Sequence, residues 1–190
     1  MNFKPSRRSS LRMILLVALA ATIFPVLWSC VAPEALAPLR ARAQLRGTEG
    51  RSVDGVVRFE EHPDGGLRVE TRVRGLPKGT HAYHVHVYGD CSAPDARSAG
   101  THYNFIGSSL DPPQDIERIT GNLGEIVSSG QGTARHEGRV TRAQLAGIAS
   151  IAGRSVVVHA RGNDPSAPPI GDAGGRIACG VIGFDGPPSS

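Results

Sequence analysis

The sequence predicts an all-β domain, a sandwich or barrel of short strands interrupted by two long loops. Three observations carry this. Gly and Pro number 24 and 14 among 190 residues, a turn-rich composition that disfavours a helical bundle or coiled coil. Short stretches alternating apolar and polar residues, many of them β-branched, recur at turn spacing. Helical patterning is nearly absent, with only residues 141–152 able to hold a helical turn.

The elements follow in order. Residues 53–59 (VDGVVRF) read as a strand closed by the turn residues 63–66 (PDGG). Residues 67–74 (LRVETRVR) alternate apolar with charged or polar, as a strand with one solvated face must. A second turn, 75–79 (GLPKG), leads into 83–88 (YHVHVY); later strands are 155–159 (SVVVH) and 177–184 (IACGVIGF). Residues 92–120 and 161–175 lack strand patterning, and loops of that length in a compact domain are usually functional.

The N-terminus reads as an address. Residues 1–12 are polar and contain Lys4, Arg7, Arg8 and Arg12, and residues 13–27 form an apolar run of 15. That is the layout of an export signal, too short for the ~20 residues of a spanning helix. Leu27-Trp28-Ser29-Cys30 resembles a bacterial lipobox, which makes Cys30 the lipidation candidate. Ala35-Leu36-Ala37 and Ala41-Arg42-Ala43 are competing cleavage sites, the first followed by Pro38 and the second far from the apolar run. Residues 6–12 also resemble a twin-arginine signal with Ser10 where Phe is usual. The expected organisation is an export signal over 1–29, an Ala/Pro tether over 30–41, a domain over 42–186 and a tail over 187–190. The expected location is the periplasm or cell envelope, with membrane contact through a lipid on Cys30.

From residue 30 onward the chain holds 17 basic and 17 acidic residues. With no surplus to neutralise phosphates, a nucleic-acid partner is not expected. Of three cysteines, Cys30 lies in the signal region, leaving Cys91 and Cys179 as a candidate pair in an oxidising compartment.

His84 and His86 are two apart on a strand, so both side chains leave one face. His102 lies in a loop and His159 ends a strand. At these residues the sequence becomes recognisable. Residues 79–86 (GTHAYHVH) with 89–92 (GDCS), then 98–104 (SAGTHYN), 157–159 (VVH) and 172–183 (DAGGRIACGVIG) resemble, in order, the signature segments of the Cu,Zn superoxide dismutases. The resemblance spans about residues 42–184.

It implies a Greek-key β-barrel of about eight antiparallel strands. It implies copper, one per chain, held by His84, His86, His102 and His159, with superoxide as substrate. Arg176 is the implied active-site arginine, and Cys91–Cys179 the implied disulfide. In the family the bridging histidine releases reduced copper, takes a proton and helps deliver it; His102 inherits that role as a catalytic residue. His81 matches a structural histidine, while His62 and His136 match no functional position and are expected to be solvated. The chemistry agrees independently, because Cu(II) favours tetragonal imidazole ligation and a fixed guanidinium attracts and orients an anion.

The zinc half departs from the family, whose zinc loop supplies two further histidines and an aspartate. Residues 105–124 contain no His; Ile119 stands at the second zinc histidine and Asn122 at the aspartate. Asn163 stands where an aspartate usually connects the two metal halves. Zinc is therefore not expected, and His102 needs another partner for its second ring nitrogen: an acid from Asp111, Asp115 or Glu117, or an ordered water. Residues 164–172 contain no Lys or Arg, so attraction of superoxide falls on Arg176 and the copper. The competing function is a non-enzymatic copper-binding or delivery protein on the same histidines; a three-histidine zinc hydrolase lacks an obvious general base.

Overall fold

Alternation builds the wall of the domain. In β1 (Arg40–Gly47), Ala41, Ala43 and Leu45 are buried while Arg40, Arg42, Gln44 and Arg46 face outward. The same alternation runs through β2 (Asp54–Glu61) and β3 (Leu67–Arg74), which bury Val57, Phe59, Leu67, Val69 and Val73. β4 (Lys78–His86) and β7 (Ser155–His159) are instead buried on both faces over most of their length, because loops cover their outer side. β5 (Asn122–Ser129), β6 (Thr133–Val140) and β8 (Arg176–Phe184) complete the set.

These features come from a computed structural model that describes residues 37–104, 120–167 and 171–186. The export signal, Cys30, most of the tether, Asp111, Asp115, Glu117, Ile119 and the tail lie outside the described residues. β1 opens at Arg40, so the end of the Ala/Pro stretch is already strand. No helix among the described residues is long and apolar enough to cross a membrane.

The eight strands form one antiparallel sheet in the order β5-β4-β7-β8-β1-β2-β3-β6. Its end strands β5 and β6 lie side by side, so the sheet nearly closes into a barrel. β3 and β4 are consecutive but unpaired, because the chain crosses from one side of the barrel to the other through the turn at Gly75. Residues of all eight strands contribute to one apolar core.

Two expectations are corrected. Residues 141–152 contain no helix: Gly147 has φ of 79°, Gln144 bridges Ser150, and Ala143, Leu145, Ala149 and Ile151 are buried. The helical turn instead falls at Arg97–Ala99, a 3-10 turn inside a loop. The strand placed over 83–88 is β4, which starts at Lys78 and ends at His86.

Candidate metal centre

β4 sends Tyr83 and Val85 into the barrel core, so His84 and His86 leave its opposite face, where they are fully buried. β7 pairs with β4, with Val157 opposite His84 and Ser155 opposite His86, and His159 ends that neighbouring strand. His102 is brought in by the loop, which crosses back over β4. Val87 N donates to Thr101 O, Tyr103 N donates to Val85 O, and His86 and His102 form an isolated bridge. One ring nitrogen each of His84, His86, His102 and His159 thus lies within 4.8 Å of the others, an arrangement that could hold a metal ion.

The loop that carries His102 is itself pinned. Cys91 and Cys179 form the disulfide, with Cα atoms 5.8 Å apart and a separation of 88 positions in sequence. Ala96 and Ala99 pack with Val157 and Cys179 into a second small core over β7 and β8. Gly100 has φ of 77°, and a Cβ there would come within 2.7 Å of the Tyr88 ring, so no other residue fits without strain. Its carbonyl is the junction of the site. It accepts from His86 Nδ1 at 2.9 Å and from Arg176 Nη2 at 2.6 Å. Arg176 also donates Nη1 to Ala96 O at 2.6 Å and sits opposite His159 in the β7–β8 ladder.

Hydrogen bonding fixes the tautomers. His86 and His159 face the Gly100 and Gly174 carbonyls through Nδ1, at 2.9 and 3.2 Å, so each Nδ1 carries the proton and each Nε2 is a bare lone pair. His84 Nε2 faces Asn163 Oδ1 at 2.9 Å; with the proton there, His84 Nδ1 is bare, buried and without a partner among the described residues. His86 Nε2 and His159 Nε2 stand 3.3 Å apart, two lone pairs with no proton left to share. Such a convergence of neutral imidazole donors suits a cation, and the donor set suits copper.

The electrostatics agree. Burial, helped by the Arg176 charge, lowers the pKa of His86 to about 3 and of His159 to about 4. Burial likewise depresses His84 and His102, helped by neighbouring histidines. All four rings are therefore neutral, as ligation requires.

Residues 53–182 match the family model of copper/zinc superoxide dismutase (SODC). The chain belongs to the copper/zinc superoxide dismutase family. It is similar to "Superoxide dismutase [Cu-Zn] A" of Xenopus laevis, 41% identical over 138 residues, covering 70% of this chain and 90% of that protein. It is also similar to "Superoxide dismutase [Cu-Zn] 2" of Brassica juncea, 38% identical over 150 residues, covering 76% of this chain and 97% of that one. The protein is a superoxide dismutase by family, with a histidine cluster that fits a metal.

On the zinc side of this dismutase, Asn122 Oδ1 accepts from Gly124 N at 3.1 Å, closing a local turn. His102 Nδ1 is buried and has no partner among the described residues. Asn163, at the connecting position, does bind His84, and Glu125 Oε1 fixes Asn163 by accepting its backbone N–H at 2.6 Å. Residue-type reasoning passes over Glu125 and the carbonyls of Gly100 and Gly174: the first is remote in sequence, and the others are backbone atoms. His81 is buried between two carbonyls, His159 O and Pro77 O, in keeping with a structural role. His136 corrects an expectation: it is half-buried, not solvated, and its Nδ1 accepts from the Tyr83 hydroxyl at 2.7 Å.

Proposed function

We propose that this superoxide dismutase uses copper alone, without zinc, and works in the cell envelope. The observation that carries the copper site is the set of bare, buried nitrogens on His84, His86 and His159, held by fixed acceptors and joined by His102. When bound there, copper supplies the one-electron couple that oxidises one superoxide to dioxygen and reduces a second to peroxide.

The chain's residues supply the rest. Arg176, held on two carbonyls, keeps a positive charge close enough to His86, His102 and His159 to lower the pKa of each. It draws the anion in and presents a planar fork to its oxygens. His84, His86 and His159 each have the nitrogen away from the cluster held by a fixed acceptor, whereas no described residue holds His102 Nδ1. His102 is therefore the ring able to leave the metal and carry, on the nitrogen it frees, the proton that peroxide formation requires.

The zinc-free reading rests on residues 105–124 containing no His and on the Asn122 amide being engaged within its own turn. The envelope location rests on the N-terminal pattern, and the disulfide Cys91–Cys179 suits it. Elemental analysis and turnover of protein purified from its native host test both metal claims. One copper and no stoichiometric zinc per chain, with copper-dependent turnover, is expected. A full equivalent of both metals overturns the zinc-free reading; bound copper without turnover replaces the enzyme with a copper carrier. Osmotic release or membrane retention on fractionation tests the location, and a purely cytosolic pool overturns it.

A further inference from the structure

Balanced net charge conceals a polarised surface. The outward positions of β1, β2, β3 and β6 carry nine arginines against four carboxylates. The rest of residues 30–190 holds thirteen acidic against eight basic residues. Arg46, Arg58, Arg72 and Arg135 on this face are exposed, and their side chains make no hydrogen bond or ion pair among the described residues. Arg72 stands directly opposite Arg135, and Arg42 opposite Arg58. Like charges in directly opposed positions weaken a sheet. Arg42 is offset by its ion pair with Asp185 and Arg58 by Glu70 directly opposite it. Arg72 and Arg135 face each other with no such partner among the described residues and give the fold nothing, so their use lies outside it.

We propose that this arginine face lies against the anionic phospholipid headgroups of a membrane. Charge complementarity supports the occupant, since guanidinium groups bind phosphate well and an anionic layer relieves the opposed pairs. Chain order supports it too: β1, part of this face, is the first strand after the N-terminal address. The orientation is productive. In the barrel order β2 lies across from β4, so docking through β2 turns His84 and His86 away from the lipid. The inference stands whether or not Cys30 carries a lipid.

The test uses the full, copper-loaded chain and vesicles of phosphatidylcholine alone or mixed with phosphatidylglycerol. The variants are Arg58→Gln/Arg72→Gln/Arg135→Gln and, as a control on the far wall, Lys78→Gln. At ~1 kcal/mol per arginine near an anionic surface, each loss costs about fivefold, so the triple variant should lose about 100-fold of the preference for anionic vesicles. Its binding to phosphatidylcholine, whose surface carries no net charge, should not change, and Lys78→Gln should match wild type. The triple variant should keep its turnover and melt at a higher temperature, since the Arg72–Arg135 opposition is gone. An unchanged anionic preference overturns the proposal by assigning it to Lys4, Arg7, Arg8 and Arg12. An equal loss in Lys78→Gln reduces it to net charge. Loss of binding to duplex DNA, with vesicle binding intact, makes the face a nucleic-acid site and overturns it as well.

Discussion

At the scale of the residue, Arg176 separates enzyme from carrier. It touches two carbonyls and no metal-facing nitrogen, so Arg176→Ala should leave copper affinity near wild type while superoxide turnover falls. Arg176→Lys should lie between, keeping charge but losing the fork, and added salt should slow wild type more than Arg176→Ala. Turnover untouched by Arg176→Ala counts against the catalytic role. Asn163 makes the complementary case, because it acts through His84. Asn163→Ala removes the acceptor that holds the proton on His84 Nε2, and copper affinity should fall about 10–100-fold; Asn163→Asp should retain it. Competitive copper titration of both variants measures this, and no change in Asn163→Ala would sink the role. His84 and His86 were legible as a pair because strand alternation puts both side chains on one face; His102 and His159 joined them through the resemblance of their segments to the family's signatures. The groups that orient them were not, because two are carbonyls and Glu125 reaches Asn163 across 38 positions.

At the scale of the element, β2, β3, β4, β7 and β8 announced themselves, while β1, whose buried set is Ala41, Ala43 and Leu45, and the barrel-closing β5 and β6 did not. β3 buries alternate residues completely, whereas β6 offers Ala134, His136, Gly138 and Val140 as its half-buried set, too small and polar to stand out. β6 holds on partly through a polar chain inside the barrel: Thr71 donates to the Tyr83 hydroxyl at 3.2 Å, and Tyr83 donates to His136 Nδ1. Tyr83→Phe keeps the volume but orphans both partners, and should cost about 1–3 kcal/mol in denaturant unfolding. His136 also predicts a pH dependence. Burial lowers its pKa below 6.5, so the unfolded chain binds its proton more readily. The stability it contributes is complete above pH 6.5 and is lost as pH falls through the folded value. Metal-loaded wild type should therefore lose more stability than His136→Gln between pH 7 and 5; equal losses would dismiss the effect. The disulfide links the loop that ends at His102 to β8, which begins at Arg176. Opening an 88-residue span should cost roughly 4–5 kcal/mol on the chain-entropy model, read as the stability difference between oxidised and reduced protein.

At the scale of the whole molecule, composition was the least informative guide. A net charge of zero beyond residue 30 says nothing about where the charges lie; only strand register sorts nine arginines onto one wall. The metal centre has the opposite character, since its ligands come from β4, β7 and the loop through His102 and converge only when the barrel is closed. The unfolded chain has no such convergence, so copper binds the folded state and stabilises it by mass action. With free copper ~1,000 times the dissociation constant, the gain is about 4 kcal/mol, which for a domain of this size raises Tm by about 8–16 °C. Zinc offers a sharper test than copper. A second metal sharing His102 would need further ligands on the Nδ1 side, where residues 105–124 supply no histidine and Asn122 is committed to Gly124. Carboxylates alone are a poor set for zinc, which favours nitrogen and sulfur donors. Zinc added to copper-loaded protein should leave Tm within about 1–2 °C of its starting value, because no new folded-state site is filled. A rise comparable to that given by copper, at one equivalent of zinc, would mean that residues 105–119 bring Asp111, Asp115 or Glu117 to His102 and that the site is binuclear after all.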